Sequence, residues 1–290
     1  MNFVLTYMLL SGCDSFIIPS IRSIQNKALG YIFKQITPEA NWPKTSLEDI
    51  GHFKYYDTST VTPPYYKVDF HCYDNGNLNP IAAQESRSAN SAVFSNHYSG
   101  LSGEESSEFI RDSHSTKTIL KSRSGFTTNK SKTIVDLGCG VGISTQHLRN
   151  TFPDDLILGI DLSPYFLNET GDIGAIFAHR DIAHTYLPDN FVDIISISYV
   201  LHEMPYMETL KVLREAFRIL KPGGVLSVLD MHNPVAYSPM MKFIFDRTEP
   251  YLGDYKEFIT NKDHDLKSIG FVEIESCYDY PKTIMFSAKK

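Results

Sequence analysis

The apolar positions of this chain fall into two regimes that meet near residue 131. Beyond Ser131, short apolar runs alternate with stretches of helical spacing. Thr133–Leu137, Leu156–Ile160, Gly174–Ala178, Phe191–Tyr199 and Val225–Leu229 read as strands. In Phe191–Tyr199, the residues Val192, Ile194, Ile195 and Ile197 are too continuous for a strand with one wet face, which predicts a parallel sheet covered on both sides. Ser144–Phe152, halted by Pro153, is the first intervening helix. Met207–Leu220 places Leu210, Leu213, Phe217 and Leu220 on one helical face. Lys221-Pro222-Gly223-Gly224 reads as a turn, and Phe271–Cys277 with Thr283–Ala288, joined at Tyr280-Pro281, as a closing antiparallel pair. The expected fold over 132–290 is a doubly wound α/β domain: a mostly parallel seven-stranded sheet with a C-terminal antiparallel strand pair.

Upstream the pattern is less regular. Residues 1–94 read as a helical and irregular, aromatic-rich extension. Ile17, Ile21, Ile24, Leu29, Ile32 and Ile36 have the spacing of one or two amphipathic helices. Asn79-Pro80 starts a helix that runs to about Phe94, with Asn as cap and Pro in the first turn. Residues 95–131 are rich in Ser, Thr, Gly and Lys and are expected to form a polar linker or loop with one helix near Glu108.

Composition narrows the class. At 290 residues, 42% hydrophobic and 21% charged, the chain has enough apolar material for a substantial core. A net charge of -7 and the lack of a Lys/Arg stripe argue against a nucleic-acid partner. Cys13, Cys72, Cys139 and Cys277 are far apart and fit neither a zinc site nor a dense disulfide framework, so a reducing compartment is expected and no metal is. Phe3–Leu10 followed by Ser11-Gly12-Cys13 has the look of a lipoprotein cleavage box. It lacks a basic start and is too short to span a bilayer, so neither export nor stable membrane insertion is expected.

The chemistry centres on Asp136-Leu137-Gly138-Cys139-Gly140-Val141-Gly142, where the first strand meets the first helix. Glycine lets the backbone turn sharply and approach a ligand closely. A dinucleotide-binding loop uses the same device, but its third glycine would stand at position 143, which is Ile143. Asp136 suits the ammonium of a methionine moiety and would repel a pyrophosphate. The loop therefore favours S-adenosylmethionine over a nicotinamide cofactor, with Gly138, Gly140 and Gly142 as binding residues. Asp161, ending the second strand, stands where a carboxylate accepts both ribose hydroxyls, and Leu162 follows it. Asp181 and Ile182 are placed to hold the adenine.

These segments, together with Gly159-Ile160-Asp161-Leu162-Ser163-Pro164, Leu187–Asp193 and Leu220–Gly224, resemble the ordered motifs of class I S-adenosylmethionine-dependent methyltransferases, the quinone-biosynthesis type among them. Val61–Tyr66, Phe70–Tyr73, Gly76–Pro80 and Glu249-Pro250-Tyr251 are similar to a less studied set from photosynthetic organisms. The resemblance implies a Rossmann-like fold and S-adenosyl-L-methionine as cofactor; the expected residence is cytoplasmic or plastid. It implies nothing about the methyl acceptor. The crossover after Asp161 is shorter than in such families: about a dozen residues remain, and its helix near Pro164-Tyr165-Phe166 is weakened by Gly171.

Methyl transfer needs alignment in a dry pocket and, for a protic acceptor, a base. His202, leaving the fourth strand beside the switch point, is the candidate catalytic base, with Glu203 and Asp230 behind it. Tyr65, Tyr66, His71 and Tyr73 are candidates for the substrate side, and the N-terminal extension for its cover. The expected partner is a small-molecule acceptor. A silent cofactor-binding module and an NAD(P)-dependent oxidoreductase stay open as alternatives, as do the oligomeric state and the methylated atom.

Overall fold

The computed structural model describes residues 28–35, 37, 55–95, 97–123, 131–232, 238–278, 280 and 282–290. Seven strands form one sheet in the order β3-β2-β1-β4-β5-β7-β6. They are β1 (Thr133–Leu137), β2 (Leu156–Asp161), β3 (Ile176–His179), β4 (Val192–Ser198), β5 (Leu220–Met231), β6 (Val272–Cys277) and β7 (Thr283–Lys289). The first five run parallel, with Leu137 opposite Ile160 on one side and Ile197 on the other. β7 runs antiparallel to β5, and β6 to β7. The order reverses between β1 and β4, so their C-terminal ends open a crevice where ligands of open α/β sheets bind.

Alternation along the strands distributes the core to both faces. Ile195, Ile197, Leu226 and Val228 pack in one cluster with Leu213, Ala216, Phe258 and Phe286. Ile194, one residue out of phase, packs instead with Ile134, Leu148 and Phe152. The expected turn at Lys221–Gly224 is drawn into β5: Leu220 pairs with Val192, and the register shifts before Val225 meets Ile194.

The helices are α1 (Pro80–Phe94), α2 (Gly103–Arg123), α3 (Ile143–Thr151), α4 (Pro164–Asn168), α5 (Tyr206–Ile219), α6 (Pro239–Thr248) and α7 (Leu252–Ile269). α1 starts as its Asn-Pro signal predicts, with the Asn79 side chain accepting from the Ile81 N–H. α4 has five residues, capped by Ser163, in keeping with the short crossover. Residues 28–35 are helical. The rest of the expected helix from Ile17 to Ile36, and the run from Phe3 to Cys13, lie outside the described residues.

The helix expected near Glu108 within 95–131 is α2, a 21-residue helix that takes up much of the expected linker and lies against α3, β5 and β7. Its inward face is almost entirely polar, which a hydropathy pattern overlooks. Ser107, Arg111, His114, Thr118 and Lys121 are buried at spacings of three or four, with Ile110. Their polar atoms are satisfied across the sheet: the Ser227 hydroxyl meets both Thr118 Oγ1 at 2.7 Å and His114 Nε2 at 2.9 Å. The start of α2 is a capping box, in which Ser102 Oγ accepts from the Glu105 N–H at 3.2 Å and Glu105 accepts from the Ser102 N–H at 2.8 Å. Gly103 then lies so close to α1 that a Cβ there would sit 1.9 Å from the Ser91 carbonyl oxygen.

Candidate active site

One cavity of about 540 Å³ opens at the C-terminal ends of β1, β2 and β4, within the range of small-molecule sites. Its floor at one end is the loop after β1. Gly138 has φ +76°, and a Cβ there would lie 2.5 Å from Val200, so the close approach of loop and strand end requires glycine. Gly140 also lines the cavity, and its N–H donates to Asp161 Oδ2 at 2.8 Å. Asp161 Oδ1 accepts from the Ser163 N–H at 2.8 Å. The carboxylate thus pins the glycine loop to the β2 end while still bordering the cavity. Burial pushes its pKa up to about 6 against the pull of these N–H donors. Leu162, Asp181 and Ile182 line the same wall, and Asp181 Oδ1 accepts from the Ala183 N–H at 2.8 Å.

Two expected cofactor residues stand back from the wall. Gly142, at φ +80°, caps α3 beneath the loop. Asp136 is fully buried in β1, and Oδ2 accepts from Thr145 Oγ1 of α3 at 2.6 Å. The side chain therefore ties β1 to α3 and does not line the cavity, because strand alternation turns it beneath the loop. Burial raises its pKa to about 6, opposed by the Thr145 and Ser196 hydroxyls and the Arg111 charge.

The sequence reading missed Arg111. It is 6% exposed, borders the cavity beside Ser144, and donates from Nε to Ser144 Oγ at 3.0 Å and from Nη1 to the Ser107 hydroxyl. Its guanidinium lies over the rings of Phe94 and Tyr199 at 5.5 and 5.1 Å. Among the described residues no carboxylate pairs with it, and burial lowers its pKa. The signal for it was the Ser102-to-Glu105 capping box, which would have placed it on the inner face of a helix.

At the other end of the cavity three distant segments converge. Residues 70–73 form a tight turn, with N–H to carbonyl bonds in both directions between Phe70 and Tyr73. His71 and Cys72 there hold φ +51° and +70°, roughly 1 kcal/mol or more of strain each. The His71 N–H is held by the Thr248 carbonyl of α6. Its ring is clamped between Glu249 Oε1 on Nδ1 and Glu203 Oε1 on Nε2, both at 2.9 Å. Burial opposes the imidazolium, but the two carboxylates outweigh it and raise the pKa to about 10. His202, 5% exposed on a single 3-10 turn after β4, meets Asp230 Oδ1 through Nδ1 at 2.7 Å. Burial again works against its charge, and Asp230, Glu203 and Glu249 together raise its pKa above the ordinary value. Tyr65, Tyr66, His71 and Tyr73 all border the cavity. One ligand atom from each of His71, His202 and Glu203 lies within 4.8 Å of the other two, a grouping that could hold a metal ion.

Residues 135–228 match the family Methyltransf_11, described as a methyltransferase domain. The chain carries a class I methyltransferase domain. Demethylmenaquinone methyltransferase of Chlamydia trachomatis is 31% identical over 112 residues, 37% of this chain and 48% of that protein. Trans-aconitate 2-methyltransferase of Methylobacterium radiotolerans is 40% identical over 96 residues, 32% of this chain and 36% of that one. The chain spans half or less of the length of the curated relatives it matches. Among solved structures, the CurJ carbon methyltransferase shares the fold with a TM-score of 0.55 at 14% identity, covering 73% of this chain and 61% of that one. No helix among the described residues is long and apolar enough to cross a membrane.

S-adenosylmethionine is the cofactor of this domain class, and the residues present fit it. Gly138 and Gly140 border the cavity with backbone alone, Asp161 borders it beside them, and Arg111 presents a buried positive charge with no carboxylate partner among the described residues.

Proposed function

We propose that the protein transfers a methyl group from S-adenosylmethionine to a small-molecule acceptor bound at the His71–His202–Glu203 end of the cavity. The observation that carries this reading is that the glycine loop, Asp161, Asp181 and Ile182 share one 540 Å³ cavity with that polar cluster. When bound, S-adenosylmethionine supplies a methyl group on a strongly electrophilic sulfonium.

The chain's own residues then have separable tasks. The Gly138–Gly140 backbone carries the methionine portion, and Arg111 receives its carboxylate through charge-assisted hydrogen bonds. Asp161 accepts the ribose hydroxyls with the lone pairs left over from Gly140 and Ser163. Asp181 takes the adenine amino group, and Ile182 packs on the ring. Tyr65, Tyr66 and Phe94 line the space beyond and keep it poor in water, which aligns the acceptor with the methyl group. His71, His202 and Glu203 hold the acceptor's nucleophilic group. The extension through residue 94 acts as the substrate-side cover, since it contributes His71 and the aromatic wall.

Calorimetry with S-adenosylhomocysteine and with NAD(H) tests the reading. Binding of the first and not of the second is the expected result; binding of NAD(H) alone would overturn it.

A further inference from the structure

The acceptor end of the cavity has the construction of a transition-metal site. His71, His202 and Glu203 each offer one ligand atom, and these atoms all lie within 4.8 Å of one another. Such proximity is common by chance among polar groups. The arrangement behind these three is less so, because each has its other polar atom fixed by a separate partner. His71 Nδ1 is held by Glu249 at 2.9 Å, and His202 Nδ1 by Asp230 at 2.7 Å. Glu203 Oε2 accepts from Asn77 Nδ2 at 2.8 Å. Metal-ligating histidines are oriented in this way, with a carboxylate on the far nitrogen fixing the tautomer and raising the basicity of the near one.

With both Nδ1 atoms engaged, the Nε2 atoms are left to ligate. His71 Nε2 faces Glu203 Oε1 at 2.9 Å, a separation two ligands of one small cation can adopt. His202 is buried and borders the cavity, and its hydrogen bond to Asp230 is made through Nδ1. Glu249, also buried and on the cavity wall, leaves Oε2 without a partner. The outer carboxylates Asp230 and Glu249 add negative charge behind the imidazoles, as a divalent cation would require.

We propose that His71, His202 and Glu203 bind a divalent first-row transition cation, zinc-like in its preference for imidazole, with its remaining positions open to the cavity. Two nitrogen donors out of three disfavour magnesium and calcium, which take oxygen ligands. This rests on the methyl-transfer reading for its purpose: the open positions take the oxygen of a hydroxyl-bearing acceptor. Coordination lowers the hydroxyl's pKa; its O–H bond breaks, the electron pair stays on oxygen, and the proton goes to bulk water. His202 then serves as a ligand, in place of the general base expected from the sequence.

The test uses the full chain without an affinity tag, stripped with a chelator and titrated with Zn²⁺ and with Co²⁺ by calorimetry and visible absorption. S-adenosylhomocysteine affinity is measured in parallel. The expected result is one Zn²⁺ per chain, and Co²⁺ bands that Zn²⁺ displaces. H71Q, H202Q or E203Q should abolish both signals while S-adenosylhomocysteine still binds. N77A, which removes the hydrogen bond to Glu203 Oε2, should weaken Zn²⁺ about 10- to 100-fold. A parent chain that binds S-adenosylhomocysteine but takes up neither cation overturns the proposal. So does unchanged uptake in the three folded ligand variants. Loss of S-adenosylhomocysteine binding with intact Zn²⁺ uptake would instead overturn the methyl-transfer reading and leave the metal site standing.

Discussion

Replacing Arg111 with methionine separates the donor's amino-acid end from its nucleoside end. The guanidinium is 6% exposed, donates to two hydroxyls, and has no carboxylate partner among the described residues. Methionine keeps the apolar stem against Phe94 and Tyr199 and removes the charge. A hydrogen bond to a charged group in such a site is worth about 1.5–3 kcal/mol. Removing it should therefore weaken S-adenosylhomocysteine by roughly ten- to a hundredfold. 5′-Methylthioadenosine has the same adenine and ribose but no carboxylate, and its affinity should not change. The unliganded variant should unfold at an equal or higher denaturant concentration, since a buried charge without a counter-ion has been removed. Calorimetry with the two ligands, alongside urea unfolding, measures each part. Equal losses for both ligands would mean that Arg111 shapes the pocket as a whole, and no loss for either would refute its role as the carboxylate anchor.

Asp161→Ala should weaken S-adenosylhomocysteine by about 1.5–3 kcal/mol, because the ribose loses its acceptor and the Gly140 N–H its anchor; unchanged affinity in a folded variant would refute this. His114 is buried and neutral, its pKa lowered by burial and the Arg111 charge from 6.5 to about 3. The unfolded chain therefore binds one more proton here between those limits, so stability is fully present above pH 6.5 and falls as the pH drops toward 3. In His114→Asn the slope of unfolding free energy against pH in that window should shrink by up to about 1.4 kcal/mol per pH unit; parallel slopes in urea titrations would refute it. Deleting residues 1–94 removes His71, the aromatic wall and α1, and should expose apolar surface to a hydrophobic dye. A soluble, dye-silent remainder with undiminished S-adenosylhomocysteine affinity would contradict the cover.

Much of the sheet was legible because each strand announces itself locally. Val192 to Ile197 is apolar at nearly every position whatever lies next to it, and Gly138 marks a turn by its own conformational freedom. Asp161 was legible for the same reason: a carboxylate ending the strand after a glycine loop has a position defined by short-range geometry. The length and burial of the helix over Gly103–Arg123 were not, because its buried face is built from Ser107, His114 and Thr118. Such residues look solvated until Ser227, more than a hundred positions away, supplies their hydrogen bonds.

The convergence at the far end of the cavity lies further still from anything a local pattern can carry. His71 faces Glu203 and Glu249 across 132 and 178 positions, and His202 faces Asp230 across 28. The sequence singled out His71, His202, Glu203 and Asp230 one by one, but not that they meet. Asp136 shows the opposite case: its motif position marked it as a cofactor ligand, and strand pleating turned it toward Thr145 beneath the loop. Element type and the glycine loop follow from short-range sterics and hydrophobic period, so the sequence by itself determined them. Which polar groups meet, and which face a cavity, depends on contacts closed over long loops, and only the tertiary structure decided that.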